Sequence, residues 1–312
     1  MGAQVVRAHC FFWCGMMAAK PLSFLKMNGL GNDFVVIDGR AEPVRLSYPE
    51  RHAIGHREAG IGCDQLIIME PAQPGGADVF MRIYNGIGEE VDACGNAARC
   101  IAHLVMEETG KDRVSIETNA GLLVGARCED PQMVSIDMGK PRLKWNEIPL
   151  AEEFRDTRRI ELQIGPIDAP ILHSPGAVNM GNPHAVFFVD DVEAYDLAAI
   201  GPMLEHHPMF PERANISLAH VMAPDAITVK TWERGAGLTK ACGTAACASL
   251  VAAARLNLTG RKATVILPGG PLTIEWRETD DHVLMSGPYA LDYEGTIPPE
   301  LLKAKAATDN AA

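Results

Sequence analysis

No stretch of this 312-residue chain approaches the ~20 consecutive apolar residues that a membrane span requires. No basic run offsets its formal net charge of −12, so neither a membrane nor a nucleic acid is an expected partner. A complete Gly-x-Gly-x-x-Gly is missing, as is Gly-x-x-x-x-Gly-Lys-Ser/Thr, and nucleotide binding finds no support. No phosphate-cradling motif accompanies a lysine, so pyridoxal phosphate is not indicated. Cys10 and Cys14 are one helical turn apart but have no nearby histidine or second cysteine pair to complete a zinc site. His206-His207 reads as a solvated helix end rather than a metal pair. No metal or cofactor is therefore expected. The first twenty residues contain Phe11, Phe12 and Trp13, yet Arg7 and His9 make a poor charged region and no clear cleavage signal follows. They read as an extension with Met17 as an alternative start, and residues 303–312 read as a disordered tail.

The composition is that of an ordinary soluble globular protein, 47% hydrophobic and 22% charged. Its length suggests two domains at ~150 residues each. Eight cysteines invite a disulfide framework, but the chain is large and lacks a convincing leader, which fits a reducing cytoplasm better. Cys63, Cys100, Cys128 and Cys247 read as small buried apolar residues.

Cys94 and Cys242 stand apart. Ala93-Cys94-Gly95-Asn96-Ala97-Ala98 recurs as Ala241-Cys242-Gly243-Thr244-Ala245-Ala246, and each copy opens a segment of helical composition, Arg99 to Glu107 and Cys247 to Leu256. The repeat extends upstream. Gly31-Asn32-Asp33-Phe34-Val35-Val36-Ile37-Asp38 resembles Gly181-Asn182-Pro183-His184-Ala185-Val186-Phe187-Phe188-Val189-Asp190, and the two asparagines precede their cysteines by 62 and 60 residues. Shared order at similar spacing argues for two homologous halves.

Each half reads as strand, turn, strand, short helix, strands, cysteine-led helix and further strands. Strands are predicted at Leu22–Met27, Phe34–Ile37, Leu66–Met69, Val79–Tyr84, Val114–Glu117, Leu122–Ala126 and Val134–Met138. In the second half they fall at Ile160–Ile164, Ala185–Val189, Ile216–Val221, Ile227–Trp232, Ala263–Leu267, Leu272–Trp276 and Val283–Met285. Helices are predicted at Pro49–Glu58 and Val192–Glu205, the latter interrupted by Gly201-Pro202. Many strands around one principal helix per half give an α+β architecture. The Pro- and charge-rich stretch Gly139–Asp156 is the expected boundary between halves 21–140 and 141–288.

A helix N-terminus offers unpaired N–H groups and the positive end of its dipole. A cysteine there can become a thiolate more readily, and the same N–H groups can hold a carboxylate. The glycine after each cysteine lets a ligand approach the backbone. Two such starts facing each other would clamp one amino-acid carboxylate with sulfur on both sides of its α-carbon, so that one thiolate removes a proton and the opposite thiol returns one. Taken singly, each Ala-Cys-Gly is equally well a small buried turn. A cysteine hydrolase would want one cysteine with a histidine, and His184 is available, but a second matched cysteine would then be redundant.

Lys26-Met27-Asn28-Gly29-Leu30-Gly31-Asn32-Asp33-Phe34, Gly60-Ile61-Gly62-Cys63-Asp64-Gln65, Ala93-Cys94-Gly95-Asn96, Gly181-Asn182-Pro183-His184 and Trp232-Glu233-Arg234-Gly235-Ala236-Gly237 before Ala241-Cys242-Gly243-Thr244 closely resemble the diaminopimelate epimerases over about residues 22–300. The resemblance implies a cofactor-independent epimerase that interconverts LL- and meso-diaminopimelate in lysine and peptidoglycan precursor synthesis. It also implies two pseudo-symmetric domains, each a curved sheet wrapped around a central helix, with segment 289–302 returning to the first, and a homodimer. By position, Cys94 and Cys242 would be the acid/base pair, and Gly95, Asn96, Gly243 and Thr244 the carboxylate cradle. Asn32, Gln65, Asn85, Asn182, Asn215, Glu233 and Arg234 would line the substrate site, with His184 and Glu233 tuning the thiols. Taken alone, Asn32, Asn85 and Asn182 are equally well turn residues, and Glu233-Arg234 a solvated strand end. Leu238 stands where many members carry glutamate, and Ala97 replaces a common glycine. The nearest rival, proline or hydroxyproline racemase, shares the two-cysteine plan but typically has histidine where this chain has Asn96. Non-catalytic isomerase relatives lack the cysteine pair.

Overall fold

Two successive series of strands, each closed around one helix, make up the chain. The computed structural model describes residues 21–303 apart from Pro74 and Ala93, so the extension 1–20 with Cys10 and Cys14, and the tail beyond Lys303, lie outside the described residues. The first series comprises β1 (Ser23–Gly29), β2 (Asn32–Asp38), α1 (Tyr48–Gly55), β3 (Gln65–Glu70), β4 (Val79–Asn85), β5 (Glu90–Val91), α2 (Gly95–Thr109), β6 (Arg113–Thr118), β7 (Gly121–Arg127) and β8 (Met133–Asp137). A small two-stranded ribbon of β9 (Gln163–Ile164) and β10 (Leu172–His173) follows. The second series comprises β11 (Gly176–Asn179), β12 (Pro183–Phe188), α3 (Leu197–Glu205), β13 (Asn215–Ala223), β14 (Ala226–Glu233), β15 (Gly237–Leu238), α4 (Gly243–Arg255), β16 (Lys262–Leu267), β17 (Gly270–Trp276) and β18 (Val283–Pro288), and β19 (Ala290–Thr296) ends it.

The two series pair identically. β1–β2, β3–β4, β4–β5, β6–β7 and β7–β8 are antiparallel while β2–β3 and β4–β6 are parallel. β11–β12, β13–β14, β14–β15, β16–β17 and β17–β18 repeat this, with β12–β13 and β14–β16 parallel. β8 joins β18 antiparallel, and β19 pairs with β1, so one sheet of seventeen strands runs through both series.

The parallel pairs are apolar on both faces, as strands buried between two layers must be. Val36, Ile67 and Met69 face one core with α2, while Val35, Ile37, Leu66 and Ile68 face another near α1. In the second series Val186 and Ala219 turn toward α4, and Ala185, Phe187, Ile216 and Leu218 turn outward to a third cluster with Leu197 and Leu204 of α3. α2 and α4 share one continuous core, and α4 is apolar nearly all round.

The α+β class and the wrapped, pseudo-symmetric architecture are as the sequence implies. The boundaries differ in places. The cysteine-led helices start at Gly95 and Gly243, four residues earlier than composition suggests. Val192–Glu205 is not one helix. Val192–Ala194 forms a 3-10 turn capped by Asp191, Tyr195 is extended, and Asp196 caps α3 anew by accepting from Ala199 N at 3.1 Å. Of the strand predicted at Ile160–Ile164 only Gln163–Ile164 pairs. Among the described residues no helix is long and apolar enough to cross a membrane.

Candidate active site

Cys94 and Cys242 are the residues immediately before α2 and α4, in extended backbone conformation. Cys94 Sγ accepts from Ala97 N at 3.4 Å, so the first turn of α2 directs an N–H at the sulfur. Alanine at 97 supplies that backbone N–H as glycine would. Cys242 Sγ lies 3.5 Å from Thr244 Oγ1. The N–H groups of Gly95, Asn96, Gly243 and Thr244 belong to first turns, which a helix leaves without intrahelical acceptors.

The two helix starts meet. Asn96 Nδ2 donates to Ala241 O at 3.1 Å, across 145 residues of sequence. Met285 of β18 wedges between them. A Cβ on Gly95 would lie 2.8 Å from its Cε and one on Gly243 2.7 Å from its sulfur, so a side chain at either position would have to displace the end of this methionine.

Strand register sets the remaining residues in matching places. Phe34 is level with Gln65, and Gln65 with Asn85. His184 is level with Asn215, and one step beyond the Ile216–Trp232 pair Asn215 meets Glu233. Asn32 therefore corresponds to Asn182, Phe34 to His184, Gln65 to Asn215 and Asn85 to Glu233. Asn32 and Glu233 face the sulfurs. Asn32 Oδ1 accepts from Cys94 Sγ–H at 3.7 Å, and the Glu233 carboxylate faces Cys242 while accepting a short bond from Thr239 Oγ1. Asn182 Oδ1 lies 2.8 Å from His184 Nε2. Asn215 is occupied by backbone, accepting from Arg234 N at 3.0 Å and donating to Pro183 O at 3.0 Å. Asn85 closes its own turn, accepting from Ile87 N and Glu89 N, and is not drawn to either thiol. Gln65 Oε1 and His184 Nδ1 are buried without a hydrogen-bond partner. Arg234 Nη1 donates to Glu212 O, and the side chain lines a cavity of about 430 Å³ with Arg142, Asn179 and Pro183; neither cysteine lines it. Leu238 lies half-exposed in β15.

Burial dominates the titration of the centre. It pushes the Cys94 thiol up to about 11 against the opposing N–H groups of Ala97 and Asn96. It raises Cys242 well above the ordinary thiol range, and the Glu233 carboxylate adds to this. Burial also raises Glu233 itself, and holds His184 down at about 3, with Arg234 contributing, so this imidazole is neutral at physiological pH. Helix dipoles alone thus do not make resting thiolates here. A thiolate needs a proton acceptor, and Glu233 is the one beside a sulfur.

Sequence patterns do not point to three groups that the structure brings to the centre. Arg99 is fully buried, donates to Asn96 Oδ1 at 3.0 Å and to Pro288 O at 3.2 Å, and keeps Nη2 without a partner. Desolvation lowers its pKa. Asp33 and Asp64 accept from each other's backbone N–H, and Arg57 bridges both carboxylates. Burial opposes ionisation of Asp33, but Arg57 and Lys26 overcome it and hold its pKa well below the usual range. Both aspartates lie within motifs that carry the family resemblance, yet neither motif assigns them a role. Of the remaining cysteines, Cys63, Cys100 and Cys247 are buried as expected, while Cys128 is partly exposed. Among the described residues no group of three or more His, Cys, Asp or Glu side chains converges as a metal site requires.

The profile of the family described as diaminopimelate epimerase matches residues 24–144 and 176–291. A diaminopimelate epimerase from Nitrobacter hamburgensis is 55% identical over 284 residues, 91% of this chain and 98% of that protein. One from Afipia carboxidovorans is 56% identical over the same shares. Among solved structures, a hydroxyproline epimerase from Agrobacterium vitis with bound trans-4-hydroxy-L-proline superposes with TM-score 0.64 at 16% identity, covering 93% of this chain and 97% of that one. A phenazine biosynthesis protein from Bacillus anthracis gives 0.62 at 15% identity, over 89% and 99%. At such identities the likeness is one of fold.

Proposed function

The chain belongs to the diaminopimelate epimerase family, and from that we propose that it interconverts LL- and meso-diaminopimelate by two-base proton transfer between Cys94 and Cys242. The observation that carries the reading is the meeting of two cysteine-led helix starts, joined by the Asn96–Ala241 hydrogen bond. A substrate carboxylate held by the N–H groups of Gly95, Asn96, Gly243 and Thr244 sits at two dipole ends of about half a positive charge each. That field favours the negative charge that spreads into the carboxylate when the α-proton leaves. Glu233 takes the proton of Cys242, the resulting thiolate removes the α-proton, and the Cys94 thiol delivers a proton to the opposite face; the reverse reaction exchanges the roles. Acid and base are both thiols, so the scheme needs no metal and no cofactor.

Arg234 suits the distal carboxylate of the substrate, since a guanidinium fork matches that group and the residue lines an open cavity next to Asn179 and Pro183. Asn32, Gln65, Asn85, Asn182 and Asn215 complete the substrate set, and the unpartnered Gln65 Oε1 and His184 Nδ1 support places for ligand or closure contacts. His184 acts in this reading as a neutral imidazole beside Asn182. Division near Gly139–Asp156, with β19 counted in the first domain through its pairing to β1, agrees with the repeated strand order. The homodimer rests on the family resemblance, and the cytoplasmic location on the free cysteines.

The test is incubation with LL-diaminopimelate in D2O, with proline in parallel. The unmodified protein should place deuterium on the inverted α-carbon of diaminopimelate and leave proline unlabelled. Cys94→Ala and Cys242→Ala should each lose at least ~10²–10⁴-fold, the usual weight of a general acid or base. Near-normal turnover in either variant would refute the two-base scheme, and labelled proline with unlabelled diaminopimelate would refute the substrate.

A further inference from the structure

A chain of polar groups runs from α2 past Cys94 to the loop before β3, and each of its hydrogen bonds has a forced direction. One end is Arg99, whose guanidinium only donates. Its Nη1 donates to Asn96 Oδ1 at 3.0 Å. Asn96 must then turn its nitrogen outward, and Nδ2 donates to Asn32 Oδ1 at 3.3 Å and to Ala241 O at 3.1 Å. The other end is Asp64, whose carboxylate only accepts. It receives Asn32 Nδ2 at 2.9 Å. An asparagine amide is ordinarily free to present either end, but here donor-only and acceptor-only groups pin both amides. The atom facing Cys94 Sγ at 3.7 Å is therefore the Asn32 oxygen.

Asp64 is itself fixed. The oxygen that receives Asn32 also accepts from Asp33 N at 3.1 Å, and Arg57 holds the other. The second half has no such device. Ala214 precedes Asn215 as Asp64 precedes Gln65, and Asn182, the counterpart of Asn32, meets His184 instead.

An amide oxygen accepts an S–H but cannot take its proton, and it repels a thiolate. A carboxylate such as Glu233 beside Cys242 can take one. We propose that Asp64 is a positioning residue that, acting through Asn32, turns an amide oxygen on Cys94 and keeps the proton on that sulfur while Cys242 gives its own to Glu233. Cys242 with Glu233 is then the base of the first half-reaction. The catalytic part of this inference rests on the two-cysteine reading; the orientation of Asn32 does not.

The experiment uses Asp64→Asn in an Asn96→Ala background, read against Asn96→Ala alone: without Asn96 Nδ2 only Asp64 still fixes the Asn32 amide, and its replacement lets that amide flip and aim N–H at the sulfur. The other groups facing Cys94 stay in place: Arg99 on α2, Glu233 on β14 and the backbone N–H groups at positions 96 and 97. Without substrate, the rate at which iodoacetamide alkylates Cys94 at fixed pH should rise about tenfold, as a tenfold larger thiolate fraction would give. The rise should persist in ~1 M salt, where the Debye length of ~3 Å removes a mere loss of charge at the half-exposed Asp64. kcat for diaminopimelate should fall about tenfold with KM little changed. An unchanged alkylation rate, a rise that high salt abolishes, or an unchanged kcat overturns the proposal. Should the variant not fold, neutron diffraction of the unmodified protein decides. Deuterons on Asn32 nitrogen directed at Asp64 support it, and nitrogen facing Cys94 overturns it. A protein inactive on diaminopimelate would still answer the alkylation and neutron arms.

Discussion

At the scale of single residues the two repeats differ where they most resemble each other in place. Glu233 occupies the position of Asn85, and His184 that of Phe34. The first exchange sets a carboxylate in hydrogen-bond contact with Cys242 where the other series has an amide. The second buries a titratable ring where its counterpart is apolar, and this has a measurable consequence. Burial depresses the His184 pKa from 6.5 to about 3. Above pH 6.5 both folded and unfolded forms carry a neutral ring and the group contributes nothing to the pH dependence. As pH falls from 6.5 toward 3 the unfolded chain takes up a proton that the folded one refuses, and stability is lost throughout that window. Within it, a tenfold rise in proton activity costs the folded state roughly 1.4 kcal/mol at this one ring. His184→Gln, which keeps a donor for Asn182, should make the folding free energy fall less steeply between pH 6.5 and 4.5, read by urea denaturation at several pH values. Parallel slopes for the two proteins would mean that His184 is accessible to protons in the folded state.

At the scale of elements, the spacing of α2 and α4 is set by Met285, which is fully buried and touches both first turns. Alanine at the first helical position should gain up to ~1 kcal/mol over glycine from propensity alone. Here a Cβ would come within 2.8 Å of Met285 at position 95 and 2.7 Å at 243, and overpacking of this kind costs ~1–3 kcal/mol. The clash wins. Gly95→Ala and Gly243→Ala should each lower the denaturation midpoint, and Met285→Ala in the same chain should cost less than the sum of the separate losses. Strict additivity would show that the methionine yields without strain. The same glycines explain what is legible in the chain. Cys-Gly followed by a polar residue marks both helix starts, so the repeat and its chemistry can be read, but glycine and asparagine are weak helix formers and composition alone sets the starts four residues late. β19 is hard to read because the alternation Leu291-Asp292-Tyr293-Glu294 is short, exposed and followed by Gly295, and its partner β1 lies more than 260 residues away. Arg99 looks like a solvated helix residue until a surrounding sheet buries it. The role of Asp64 depends on an amide 32 residues distant. Such groups act through contacts that no local pattern encodes.

At the scale of the whole molecule, two series joined by β8 and β18 bring their helix starts together over one continuous core. Cys94 and Cys242 come from different series, yet Asn96 Oδ1 lies only 3.8 Å from where a Cβ on Gly243 would be, and Asn96 bonds to Ala241. Two sulfurs brought to either side of one carbon are near enough that closure without substrate should allow them to bond, since a disulfide needs its Cα atoms only ~4.4–6.8 Å apart. The other thiols among the described residues have no such opportunity. Cys63, Cys100 and Cys247 are buried in the apolar clusters, away from oxidant. Cys128 is partly exposed in the connection after β7. Mild oxidation of the ligand-free protein should therefore give one bridge among the cysteines of the described residues, Cys94–Cys242, with complete loss of epimerase activity that dithiothreitol restores. Substrate present during oxidation should protect, because it occupies the space between the sulfurs, and EDTA should have no effect. Peptide mapping by mass spectrometry reads the bridge directly. Activity that survives oxidant but disappears with EDTA would place the chemistry on a metal instead of on this pair, and a bridge to any other cysteine would mean that the two series do not hold their helix starts face to face.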